Sequence, residues 1–203
     1  MRGQFYYLYL IVDIYSRKIV DAEVFDQESM ANSSEVIQRA VLREGGINQP
    51  RVLHADNGSA MKGSTLQATL QRLHITPSYS RPRVSNDNAF SESLFRTCKY
   101  RPDYAIDGYA SLTAAQQWVT RFVHWYNHEH RHSAIRFVTP GERHAGQDDE
   151  VLARRDAIYA EAKRRSPGRW SGATRNWSPR RTVWLNPDQE DPLVQRDQRL
   201  EAA

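Results

Sequence analysis

Apolar residues run almost without interruption from Phe5 to Val12, and after the polar turn Tyr15-Ser-Arg-Lys18 they resume from Ile19 to Phe25 in alternation with polar positions. This pattern predicts a β-hairpin whose first strand is buried on both faces. Asn32-Ser-Ser-Glu35 has the form of a capping box, and Val36, Ile37, Ala40 and Val41 follow at helical spacing until Gly45-Gly46, so a short amphipathic helix is expected. Arg51 to Ala55 reads as a strand with Asp56 at its carboxyl end. Ser64-Thr-Leu-Gln67 reads as the cap of a helix striped by Leu66, Leu70 and Leu73, and Ile75 to Ser80 as another strand. A loop from Arg81 to Asp87 leads to a helix with Phe90, Leu94 and Cys98 on one face. A longer helix from about Thr113 to Asn127 carries Ala115, Trp118, Val119, Phe122 and Tyr126 at three- and four-residue steps. The order is that of a mixed α/β sheet with flanking helices.

The pattern changes after Pro140-Gly141. Residues 149–165 read as a solvated, Ala- and Arg-rich helix, and a Pro, Gly, Ser and Trp-rich stretch follows, expected to stay extended until it docks. The core is therefore assigned to residues 1–145 and a basic extension to residues 146–203. Charge sharpens the division. Residues 151–185 hold nine Lys and Arg against Asp156 and Glu161, a balance of +7, while residues 1–150 are neutral. The extension is the segment suited to a polyanion.

No apolar run approaches the roughly 20 residues that span a bilayer, and no secretory leader is visible, so a cytoplasmic, nucleoid-associated protein is expected. The single cysteine, Cys98, excludes an internal disulfide and a cysteine-rich zinc site; it reads as a small buried hydrophobe.

The chemistry lies in two carboxylates. Asp56 ends a strand, Glu92 opens a helix, and 35 residues separate them. Divalent metals that act on phosphodiesters need converging hard oxygen ligands, which such a pair supplies. Alone the pair is weak evidence, since Asp56-Asn-Gly58 is also a turn signal and Glu is favoured at a helix start.

Five segments together carry more. His54-Ala-Asp-Asn-Gly-Ser59, Asp87-Asn-Ala-Phe-Ser-Glu-Ser93, the 35-residue gap, Val12-Asp-Ile-Tyr-Ser-Arg-Lys-Ile-Val20, and Trp125-Tyr-Asn-His-Glu-His-Arg-His-Ser-Ala134 with Thr139-Pro140 resemble the integrase-core transposases of bacterial insertion sequences. The resemblance runs over about residues 3–145. It implies a ribonuclease H-like fold, a DDE site with Mg2+ or Mn2+ at Asp56 and Glu92, transposon-end and target DNA as partners, and a homo-oligomer or an assembly with intact transposase.

One part of that pattern has no counterpart. The family's first catalytic Asp lies on the central strand, immediately before the one that Gln4 to Leu10 resembles. Asp13 matches a different family position, where it caps a turn. The 203 residues alone are thus expected to form two half-sheets with unpaired edges and to be inactive, through a misplaced start, a frameshift or decay of a longer gene.

Arg96 and Lys99 follow Glu92 on one helix face, placed either for DNA phosphates or, for Arg96, for a surface pair with Glu92. Arg81 and Arg83 precede that helix as DNA contacts or as solvated loop charges. Trp170, Trp177 and Trp184 interleave with arginines, a pattern suited to base stacking and equally to packing on the core. His128-Glu-His-Arg-His132 formally fits the zinc-protease pattern, but Val138 stands where the extended form needs a third ligand. Two further readings stand beside the enzyme: a non-catalytic DNA-binding remnant that inhibits intact transposase, and a nuclease acting on RNA–DNA hybrids.

Overall fold

The computed structural model describes residues 5–45, 49–56, 58–81 and 85–185. The predicted hairpin forms from β1 (Tyr7–Val12) and β2 (Ile19–Phe25), antiparallel, with Tyr7 opposite Phe25 and Val12 opposite Ile19. Its turn is closed by Asp13, whose Oδ1 accepts from the Ser16 backbone N–H at 2.6 Å and from the Ser16 hydroxyl at 2.9 Å. The capping role expected of Asp13 is the one it plays.

After α1 (Met30–Arg43) comes a parallel pair, β3 (Arg51–Ala55) and β4 (Ile75–Tyr79), with Arg51 opposite Ile75 and Ala55 opposite Tyr79. The crossover between them carries α2 (Ser59–Lys62) and α3 (Ser64–Arg72). The two pairs remain separate two-stranded sheets. Among the described residues no strand joins β1 to β3. Both nevertheless border one apolar cluster: Ile11 of β1 and Leu53 of β3 pack against Ile37, Val41, Leu66, Leu70 and Ile75.

This arrangement corrects the expectation for β1. None of its six residues is fully buried, and Tyr7 is exposed. A strand is covered on both faces only within a layered sheet, and β1 has a neighbour on one edge alone. Two caps also move. Helix α1 starts earlier than the sequence signal, with Ser29 as N-cap accepting from the Asn32 N–H, and α3 has no side-chain cap. Gln67 instead donates to the Met61 carbonyl at 3.3 Å and contacts the Tyr79 hydroxyl.

The main core lies between the hairpin and two helices, α4 (Ala89–Lys99) and α5 (Leu112–His128). Ile19, Val24, Leu94, Cys98, Ala115, Trp118, Val119, Phe122 and Tyr126 form one buried cluster. Burial pushes the Cys98 thiol up to about 11, so it stays protonated and packs as a hydrophobe. Asn127 fastens α5 to β2: its side-chain amide accepts from the Ile19 N–H and donates to the Ile19 carbonyl, each at 2.9 Å. On the other side, Arg39 and Arg43 of α1 both bind the fully buried carboxylate of Asp21 on β2.

Beyond α6 (Pro140–His144) and α7 (Asp148–Arg165) the basic extension folds back. Trp177 is buried against Ile135, Val138 and Leu152, and Trp170 meets Tyr159 edge-on. Residues 166–185 thus dock on α7 and on the turn before α6, largely without regular structure, and Trp170 and Trp177 take the packing role that the sequence pattern left open.

Candidate metal and DNA site

Asp56 follows the last residue of β3, at the carboxyl end of the parallel pair, where α/β sheets leave space for ligands. Its side chain is exposed, and Oδ1 accepts from the Gly58 N–H at 3.1 Å. A Cβ on Gly58 would lie 3.0 Å from that oxygen, so a larger residue there would press on the carboxylate. Glu92 stands in the first turn of α4 and is likewise exposed. Neither carboxylate forms an ion pair among the described residues.

The alternative pairing of Glu92 with Arg96 is not formed. The Arg96 guanidinium lies over the Tyr100 ring, 5.5 Å from its centroid, and Lys99 is exposed one turn further on. Arg81 is no free loop cation: its guanidinium grips Asp87 with Nε and Nη2 at 3.0 and 2.9 Å, and its backbone N–H donates to the same carboxylate. The Arg81 side chain and its backbone hold the Asp87 carboxyl below the usual range. Arg83 lies outside the described residues.

A residue that the sequence motif contains, but for which spacing suggests no role, joins the two halves. His54, two positions before Asp56, approaches the Asp87 carbonyl with Nε2 at 2.9 Å and the Ser78 hydroxyl with Nδ1 at 3.0 Å. A carbonyl only accepts, so Nε2 carries a proton and donates it to Asp87, while Nδ1 meets the Ser78 hydroxyl. The imidazole thus ties β3 and β4 to the 3-10 turn Ser85–Asn88, from which α4 and Glu92 emerge.

As a donor set, two solvent-facing carboxylates without cationic partners suit a hard divalent ion such as Mg2+. Among the described residues no three His, Cys, Asp or Glu side chains converge as a metal cluster. The residues present fit part of such a site, with Asp56 and Glu92 as its protein ligands.

The histidine run does not make a zinc site. Helix α5 ends at His128, so the register in which the His128 and His132 rings would share one helical face is lost. His132 turns inward, where burial and the charge of Arg17 hold its pKa down to about 4. Its Nδ1 accepts from the Ala134 N–H at 3.2 Å. A Ser–His–Glu chain also emerges: His144 meets the Ser16 hydroxyl at 3.1 Å and the Glu44 carboxylate at 2.7 Å. Ser16 has no exposed surface, so this chain fastens α6 to the hairpin and α1 rather than presenting a nucleophile.

The sequence comparisons bear on this geometry directly. Residues 1–85 match the family model described as integrase core domain, and residues 73–140 match a second model of the same description. The chain belongs to the integrase core family. Its relatives include the transposase for insertion sequence element IS904 of Lactococcus lactis, 28% identical over 139 residues, covering 66% of this chain and 53% of the relative. The putative transposase for IS986/IS6110 of Mycobacterium tuberculosis is 25% identical over 171 residues, covering 81% of this chain and 56% of that protein. An insertion element IS136 protein of Agrobacterium tumefaciens is 26% identical over 145 residues, covering 68% of this chain and 73% of its own. The chain spans about half the length of the first two. Among solved structures, a simian T-cell lymphotropic virus intasome in complex with PP2A regulatory subunit B56 gamma aligns with a TM-score of 0.51 at 16% identity, over 70% of this chain and 49% of the other. That likeness is one of fold, and the fold of the integrase core here is ribonuclease H-like. No helix among the described residues is long and apolar enough to cross a membrane.

Proposed function

We propose that these 203 residues are the catalytic-core portion of a DNA transposase. Asp56 and Glu92 are read as two of its metal-binding carboxylates, residues 1–145 as the core and residues 146–203 as a basic extension. The observation that carries this reading is the placement of Asp56 at the carboxyl end of β3 and Glu92 in the first turn of α4, both exposed and without an ion pair among the described residues, on elements that His54 ties together. Divalent ions bound there would activate an attacking oxygen and stabilise the leaving one. Arg96 and Lys99, exposed on the Glu92 helix, would contact the phosphates of transposon-end or target DNA. Assembly as a homo-oligomer, or with intact transposase, brings paired ends together in the cytoplasm at the nucleoid.

Two carboxylates do not complete a three-carboxylate site. In this reading a strand carrying the third, seated between the open edges of β1 and β3, completes both sheet and site, and residues 1–203 alone bind DNA without transferring strands. The separation of the two sheets also favours a second reading, a non-catalytic DNA-binding remnant or an inhibitor of intact transposase.

The deciding experiment is a gel shift on duplex DNA with and without Mg2+, run beside a strand-transfer assay in which a strand peptide bearing Asp is added or withheld. Product that appears only with peptide and Mg2+ supports the first reading. DNA binding with no product under either condition moves the conclusion to the remnant.

A further inference from the structure

Arg17 is a half-buried cation between the hairpin, α4 and α5 that forms no ion pair among the described residues. It sits in the β1–β2 turn at φ 68°, a left-handed conformation that costs a side-chain-bearing residue energy and calls for a reason. Its guanidinium carbon lies 4.0 Å from the centroid of Phe90. Its Nε is buried with no hydrogen-bond partner, and it forms no ion pair among the described residues. Arg143 and Arg180 add positive potential, while Asp13, the carboxylate acting on it, is already bound by Ser16. Burial lowers the Arg17 pKa to about 10, which leaves it charged at neutral pH.

Arg17 lines a cavity of about 210 Å³ together with Val12, Phe90, Ser93, Tyr126, His132 and Ala134. Tyr126 and His132 are neutral there: burial raises the Tyr126 phenol to about 12 and keeps His132 unprotonated at neutral pH. One arginine without an ion pair among the described residues, in a mostly apolar cavity that Ser93 and Tyr126 also line, is suited to a single anion. The volume lies below the roughly 300 Å³ at which cofactor-sized pockets begin, so the cavity holds a phosphate and part of its sugar or base. Ser93, on its wall, is the residue after Glu92, so the cavity lies against the first turns of α4, the end of a helix that favours negative charge.

We propose that the cavity between Arg17 and Phe90 is a phosphate subsite, which receives a single-stranded nucleotide phosphate beside the one acted on at Glu92. The proposal rests on the transposase-core reading for the identity of the strand. Arginine suits the role because its planar donors reach two phosphate oxygens at once. Phe90 both holds the guanidinium in place and gives a base or sugar an apolar wall.

The test follows the Arg17 Nε–H and His132 ring resonances of the 15N-labelled 203-residue chain, without metal. Inorganic phosphate, a five-nucleotide single strand and a duplex are added in separate titrations. The single strand is expected to shift both resonances, and R17M to weaken its binding at least tenfold, whereas R17K, which keeps the charge, weakens it less. Methionine carries the same backbone strain as arginine, so folding is matched. A134L fills the cavity while leaving Arg17 in place and is expected to weaken binding similarly. Unmoved Arg17 resonances, or single-strand affinity unchanged in both R17M and A134L, overturns the subsite. A shift with inorganic phosphate but none with the single strand overturns its assignment to nucleic acid. Failure of the transposase reading shows elsewhere, as metal affinity unaffected by D56N and E92Q, and leaves these resonances able to report.

Discussion

The Nε2 of His54 lies 2.9 Å from the carbonyl of Asp87, and this bond joins the strand that delivers Asp56 to the turn that launches the helix of Glu92. The supports of two carboxylates separated by 35 residues are thereby coupled by one imidazole, whose Nδ1 also meets the Ser78 hydroxyl.

H54A removes both bonds and leaves the Asp87 carbonyl without its imidazole partner. The expected cost is roughly 1–3 kcal/mol, felt at the turn before α4 rather than across the fold. Hydrogen exchange should therefore accelerate at least tenfold at Ser85 to Glu92 while α5 keeps its protection. Unchanged protection of the turn would show that His54 does not position α4.

D56N and E92Q are expected to leave stability within about 0.5 kcal/mol of wild type, since both carboxylates are exposed and form no ion pair among the described residues. Asparagine still offers Oδ1 to the Gly58 N–H. Each substitution should lower Mn2+ affinity at least tenfold, read as the loss of paramagnetic broadening near residues 56 and 92. Retained affinity in both variants would remove these residues from any metal site.

His132 gives the fold an acid limit. Its folded pKa of about 4 lies below the roughly 6.5 of an unfolded histidine, so between those values the unfolded chain binds the proton. The stabilising contribution is complete above about pH 6.5 and is lost as the pH falls towards 4. It amounts to on the order of 2 kcal/mol once partial exposure is discounted. Urea denaturation across pH 4–7 should show this slope in wild type and a shallower one in H132N. Parallel slopes would place the acid sensitivity elsewhere.

W177A should open the docked extension. Removing a buried indole costs roughly 3–5 kcal/mol where the site cannot collapse, and Trp177 packs on Ile135, Val138 and Leu152 with Arg155 and Arg175 near its ring. Limited trypsin digestion is expected to cut at Arg169 and Arg175 faster in the variant, with the hairpin and α5 core intact. Equal digestion rates would mean that the tryptophan does not hold the segment.

The local elements were legible because their signals are local. The β-branched and aromatic run of Phe5 to Val12, the heptad-like spacing from Ala115 to Tyr126 and the carboxyl-end position of Asp56 depend on side-chain periodicity, which backbone geometry fixes at 2 and 3.6 residues. The matching motifs around His54, Glu92 and Asn127 likewise pointed to the integrase core from residue order alone. What those residues do for one another was not legible, because their partners are remote in sequence. Asn127 reaches Ile19 across 108 residues, and Asp21 receives Arg39 and Arg43 from α1. The interior placement of Trp177 depends on how the chain folds back over α7, and His54 acquires its role only when β3, β4 and the Asp87 turn meet. The sequence by itself determined which elements form, where the carboxylates fall and which family they serve. Tertiary structure alone decided that β1 is left half-covered, that Arg81 is spent on Asp87 and that Arg17 is half-buried without an ion pair among the described residues, since burial and charge balance are properties of surfaces brought together from distant parts of the chain.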